Sequence, residues 1–288
     1  TYITGLHYSY LMWSKLKDGR FPKYWDSDRR WFYVWQACLE DPLCDGETFL
    51  KHRQGGLTSK ACHIGAITVT TNKNSKVVIR DSMSLEHGLG AIWNPVLKPM
   101  YLGWPMFMQP MTPEKEWNER GEMRFAAQLR RGKEKNQQSD RGLQSSIELV
   151  GASSKQSKAD GMTVKFLFVD EPGKPSNVNI RGAWGTERPA LKAANGKALF
   201  GSTVEEGNGQ SSLTLQYAQF CYDSDRALIE TNPNGQTNTG LYFYFVPCYD
   251  GLDSEWIGPF GESMVGTPSE SQIEFQRERF FNEKRDTY

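Results

Sequence analysis

Val164-Lys165-Phe166-Leu167-Phe168-Val169-Asp170-Glu171 is the stretch whose reading decides the fold. Phe166 to Val169 are continuously apolar and β-prone, which suits a central strand buried on both faces of a parallel α/β sheet. Two carboxylates follow, at the carboxyl end of that strand, where open α/β sheets place their ligands. Burying adjacent charges is costly unless something pairs with them. A magnesium ion and a water to be activated would account for both, with Asp170 toward the metal and Glu171 toward the water, the form of a Walker B motif. The same letters also describe a strand that simply ends in two solvated acids, so the surrounding motifs decide.

Upstream, Glu47-Thr48-Phe49-Leu50-Lys51 reads as a short strand, His52 to Leu57 as a turn, and Thr58 to about Val69 as a helix. Strand, glycine turn and helix make a phosphate loop. Small residues let backbone N–H groups close around phosphate oxygens, and the helix amino end adds partial positive charge. The usual pattern is GxxxxGK[ST]. Leu57 stands here in the place of the lysine, and an ordinary glycine turn is the competing reading. Thr58 has the offset that puts a hydroxyl on magnesium. Lysines stand at Lys51, just before the turn, and at Lys60, in the first helical turn. Lys60 lies two residues past Thr58 and is rotated roughly 200° from it on a helix of about 3.6 residues per turn, which favours Lys51 as the phosphate cation.

The rest of the chain supplies a sheet. Lys76 to Arg80 reads as a second strand after an Asn-Lys-Asn-Ser turn, Ser146 to Val150 as another, and Lys197 to Thr203 as a buried strand ending in small hydroxyl residues. Ala227 to Thr231 and Leu241 to Val246 are further strands, parted by an Asn-Pro-Asn-Gly turn. Ser84 to Leu97 reads as a helix broken near Pro95, and residues 99 to 113, with four prolines, as a loop. Asp26-Ser27-Asp28 looks like a helix start capped by Ser27 or Asp28, the helix running to about Leu39. Its Trp31, Val34 and Trp35 suit plain packing; the alternative is that an aromatic and an arginine of this region hold an adenine ring. Gln272 to Arg285 reads as a charged helix.

The 288 residues are 38% hydrophobic, enough for one large domain or two small ones. Formal net charge is zero, so overall charge gives no sign of nucleic acid, and a DNA contact must come from a local patch. Residues 118 to 141 are the most basic segment, either a solvated face or a contact for DNA or a neighbouring subunit. The five cysteines have no CxxC spacing, which argues against a zinc site or a disulfide framework and favours a reducing compartment. No run reaches a membrane span.

Thr58 precedes Asp170 by 112 positions, and Ser202 follows Asp170 by 32. That order is expected of an α/β fold of the additional-strand P-loop NTPase type, a mainly parallel central sheet flanked by helices. The chain resembles the large subunit of tailed-phage terminases, the motor that packages viral DNA. Lys51 to Lys60 looks like that family's deviant Walker A, Phe166 to Glu171 its Walker B, and Gly201-Ser202-Thr203 its coupling motif. His7-Tyr8-Ser9-Tyr10 and Asp28 to Tyr33 resemble its amino-terminal segment.

The resemblance implies an ATPase coupled to DNA translocation into a procapsid, with ATP and Mg2+. Gln54, Gly55, Gly56, Leu57, Thr58, Ser59 and Lys60 would form the nucleotide cradle; Thr58 and Asp170 would hold the metal. Glu171, Arg53 and Lys51 would be catalytic, and Gly201, Ser202 and Thr203 would couple phosphate loss to movement. Implied partners are double-stranded DNA held by its backbone without sequence preference, a portal protein and the small terminase subunit, in a homo-oligomeric ring, with no membrane. The expected setting is host cytoplasm during virus assembly rather than the mature virion. The implied layout is an aromatic lid segment over 1–45, an ATPase core over 46–262 and a linker over 263–288, with the family's nuclease activity absent from this chain. A helicase-type nucleic-acid-dependent ATPase and a non-hydrolysing structural or interaction protein are the alternatives.

Overall fold

The structure, a computed structural model, describes residues 2–51, 55–110, 121–126, 142–152, 164–173, 180–203 and 239–245. Its centre is a 7-stranded sheet in the order β3-β4-β2-β5-β6-β1-β7. The strands are β1 (Gly46–Lys51), β2 (Lys76–Asp81), β3 (Glu122–Ala126), β4 (Gly142–Val150), β5 (Val164–Asp170), β6 (Lys197–Thr203) and β7 (Leu241–Phe245). All pairings are parallel except β3 against β4. The Asp-Glu strand is thus the middle strand, β5, between β2 and β6.

Both faces of β5 are covered, which explains its unbroken apolar run. Phe166 and Phe168 join one core with Trp31, Trp35, Phe49 and the small residues Ala61, Cys62 and Ala66. Leu167 and Val169 join the other, with Val78, Ala198, Phe200, Trp184 and Leu191. Alternation of side chains along the strand makes this division. The first face carries α1 (Gly5–Trp13), α2 (Asp26–Glu40) and α3 (Leu57–Thr71), and the second carries α6 (Ile180–Ala193).

Several expectations change. Neither Ser27 nor Asp28 caps α2: the helix opens at Asp26 behind Trp25, and no side chain caps it. Asp26 and Asp28 are taken instead by Arg29 and Lys60. The helix over Ser84 to Leu97 does not end at Pro95. A short α4 (Leu85–Gly88) passes into a π-helical stretch, Leu89–Leu97, then α5 (Lys98–Leu102). The wider π turn takes in a proline that offers no N–H. Part of the supposed loop is thereby helical, with a further 3₁₀ turn at Met106–Met108. β3 and α6 had no counterpart in the sequence reading. The strand at Ala227 to Thr231, the 232–235 turn, the Gln272 to Arg285 helix and all of 263–288 lie outside the described residues, as does the basic segment apart from 121–126. Cys38 and Cys44 are free thiols in hydrogen-bond contact, Sγ to Sγ 3.1 Å.

β1 docks against β6 only because Gly46 lacks a side chain. Its φ is +146°, and a Cβ there would stand 2.0 Å from the carbonyl oxygen of Ala198. Backbone of a central strand cannot yield, so Gly46→Ala should lower stability by about 3 kcal/mol or prevent folding. Gly90→Ala, where a Cβ meets nothing within 4 Å, should stay within about 1 kcal/mol of wild type. Urea unfolding compares the two.

Candidate functional site

Parallel pairing brings three strand ends together. Lys51 of β1 stands opposite Thr203 of β6, and Gly201 of β6 opposite Asp170 of β5. Between β1 and α3 the chain turns through Gly56, whose φ of +64° is left-handed, a region that favours glycine. The turn sets α3 with its first residues over the end of β5. Gly201 makes room: a Cβ there would meet Leu57 Cδ2 at 2.1 Å.

Thr58 Oγ1 donates to Asp170 Oδ1 at 3.2 Å. Lys51 Nζ donates to Glu171 Oε1 at 2.8 Å, in a pair mostly shielded from solvent. The other oxygen, Oε2, accepts from Thr203 N and Thr203 Oγ1, both at 3.0 Å, and at 3.4 Å from Ser202 Oγ. The Glu171 amide donates to the Gly201 carbonyl at 2.8 Å, and Glu171 itself has φ +50°, left-handed and unusual for a residue with a side chain. Ser202 Oγ also accepts from Gly173 N at 3.1 Å. Loss of water around the Asp170 carboxyl pushes its pKa up to about 7; the Glu171 charge adds to the rise, while Lys51 and the Thr58 hydroxyl oppose it.

Lys51, Thr58, Asp170, Glu171, Ser202 and Thr203 therefore meet at one place, with Gly55, Gly56, Leu57 and Ser59 in the turn and first helical turn beside it. Arg53 and Gln54 lie outside the described residues. Lys60 points elsewhere. It is buried against α2, paired with Asp28 and set over the Trp31 ring at 5.4 Å. One turn on, both nitrogens of His63 are engaged at 2.7 Å, by Ser9 Oγ and Ser14 Oγ. Burial holds its pKa down to about 3, so it is neutral. Sequence reasoning missed the contacts of Asp28, Ser9 and Ser14, which join residues far apart in the chain. A buried lysine and histidine on one apolar helix were the available signal.

Among the described residues no group of three or more His, Cys, Asp or Glu is placed to hold a metal. The Thr58–Asp170 pair still suits Mg2+. That ion takes hard oxygen donors, one or two from protein and the rest from phosphate and water. No helix of the described residues is long and apolar enough to cross a membrane.

No protein-family model matches the chain, and no curated protein sequence matches it significantly. Solved structures do. The HK97 bacteriophage large terminase superposes with a TM-score of 0.53 at 13% identity, over 96% of this chain and 51% of that one. The large terminase ATPase domain of Thermus phage P74-26 gives 0.47 at 16% identity, covering 77% and 84%. The fold is of the P-loop NTPase type. It is terminase-like, and the chain spans about half the length of the HK97 protein it matches.

Two outcomes follow. Lys60→Ala should cost roughly 3 kcal/mol of stability by stranding the Asp28 carboxylate, leaving nucleotide affinity of the folded fraction unchanged, whereas Lys51→Ala should lose nucleotide affinity and turnover; calorimetric binding separates them. For Asp170 the folded pKa is raised from 3.8 to about 7. The folded state therefore keeps a proton that the unfolded chain has released, and stability falls as pH rises through that window. Asp170→Asn should raise stability by roughly 1–3 kcal/mol at about pH 8 and by little at about pH 4, measured by urea unfolding.

Proposed function

We propose that this chain is an ATPase acting at the carboxyl edge of its sheet, the motor portion of a terminase large subunit that couples ATP hydrolysis to movement of double-stranded DNA. The observation that carries the reading is the meeting of four groups at the ends of β1 and β5 and the start of α3. These are a hydroxyl at a helix start (Thr58), a metal-suited carboxylate beside it (Asp170), a second carboxylate one residue on (Glu171) and a shielded ammonium (Lys51). The HK97 likeness supports the fold of such a motor.

In this mechanism the amides around Gly55 and Gly56 hold the phosphates, with Gln54 and Ser59 completing the cradle, and Lys51 sets its ammonium against the β- and γ-oxygens. Thr58 and Asp170 would hold Mg2+, which when bound would neutralise phosphate charge. Glu171 orients the attacking water and accepts hydrogen bonding from it. Arg53 stabilises charge growing on the γ-phosphate. Lys60 fastens α2 to α3. Ser202 and Thr203, which hold Glu171, carry the loss of the phosphate into β6. DNA is held by its backbone, without sequence preference and with strong salt dependence. A portal protein, a small subunit and further copies of the chain complete the assembly, in the host cytoplasm.

Glu171→Gln should lower phosphate release from MgATP by roughly 100-fold or more while the variant still binds nucleotide. Release at the wild-type rate would remove Glu171 from the chemistry. Wild-type protein that is folded yet neither binds nor hydrolyses ATP would favour the non-hydrolysing alternative.

A further inference from the structure

The Glu171 carboxylate ties together three strands. Its backbone ends β5 and bonds to Gly201 of β6, Oε2 is held by Thr203 at the end of β6, and Oε1 by Lys51 at the end of β1. One ammonium is thus already committed to a carboxylate at the place where it has to meet phosphate. We propose that the Lys51–Glu171 ion pair is a latch that nucleotide binding must open, Lys51 exchanging from Glu171 to the phosphates while Thr203 keeps its hold on Oε2. This rests on the reading that phosphates bind at this edge.

Geometry makes it an exchange rather than a joint movement. Glu171 cannot follow Lys51, because its amide is fixed to Gly201 at 2.8 Å and its φ is +50°. A left-handed residue with a side chain is strained and persists only where several contacts over-determine it. Here those contacts are the Gly201 bond and the two Thr203 bonds. Lys51 is the partner free to leave: its Nζ sits at the tip of a flexible four-carbon stem, and a triphosphate presents more negative charge than one carboxylate. When Lys51 leaves, Oε1 loses that donor while Oε2 keeps its bonds to Thr203. The latch also weakens nucleotide binding, since the competent state is reached only after the ion pair opens. Thr203 is a positioning residue in this scheme, acting through Glu171.

The test is a double-mutant cycle on Lys51→Met and Glu171→Gln, read by calorimetric titration with the non-hydrolysable analogue adenylyl imidodiphosphate and Mg2+. Glu171→Gln should bind about tenfold tighter than wild type. In the Lys51→Met background the same change should bring no gain. An equal gain in both backgrounds would mean only that a negative charge near the phosphates has been removed, and would overturn the latch. So would no gain in either.

Because Lys51→Met will bind weakly, the cycle is repeated on nucleotide-free protein by urea unfolding. There the double variant should be no less stable than the worse single variant, and additive losses would refute the pair as a coupled unit. Thr203→Val should lower kcat several-fold with affinity unchanged, and Thr203→Ser should restore it. If Thr203→Val instead tightened binding as Glu171→Gln does, the division of labour would be wrong. A wild type that turns over ATP but shows no Lys51–Glu171 coupling defeats the latch alone; one that binds no analogue defeats the ATPase reading with it.

Discussion

Parallel register at the middle of the sheet is the constraint on which the site depends. Gly46 lets β1 lie against β6, and β6 against β5, so that Lys51, Thr203 and Asp170 reach the same edge. A one-residue slip in either pairing would turn each side chain to the opposite face. The site is therefore a consequence of strand packing, and its carboxylates can be concentrated there because the sheet beneath is buried on both faces. Part of that cost is visible at the site itself. Asp170 has its pKa raised to about 7, and Glu171 is held in a left-handed conformation. Stored strain and poorly solvated charge cluster at functional sites.

A second network fixes the phosphate-loop helix from the other side. Lys60 reaches Asp28 and Trp31 of α2, and His63 reaches Ser9 and Ser14 at α1. Trp31 Nε1 also donates to Glu47 Oε1 at 2.8 Å, and burial pushes the Glu47 pKa up to about 8, so this acid is mostly protonated near neutrality. Buried polar groups that are partnered in this way give a helix one seating rather than several. The aromatic residues of α2 share the core of the sheet, so the amino-terminal helices are packed into the same body as the loop they flank.

Much of this was legible in the sequence because the decisive signals are local. Phe166 to Val169, Val77 to Ile79 and Ala198 to Phe200 announce strands by composition alone; the Asp170 and Thr203 positions follow from where two of those strands end, and Thr58 from the glycine turn after β1. The sequence was silent where a residue works against its usual habit. Pro189, Gly182 and Gly185 disguise α6, which holds its helix by seating Trp184 on Phe200 at 5.4 Å. Pro95 signals a break that a π turn absorbs. Glu122 to Ala126 pairs with β4 only through a tertiary contact, as an antiparallel edge. The partners of Lys60 and His63 were hidden for the same reason, being distant in the chain.

A crystal structure of the protein with Mg2+, ADP and beryllium fluoride, a mimic of bound ATP, tests most directly whether this edge is a nucleotide site. The expected result is a metal held by Thr58 Oγ1 and the Asp170 carboxylate, phosphate oxygens on the Gly55 and Gly56 amides, and Lys51 Nζ turned to the phosphate mimic. Nucleotide bound elsewhere, or at this edge with Thr58 and Asp170 still bonded to each other and no metal between them, would contradict it.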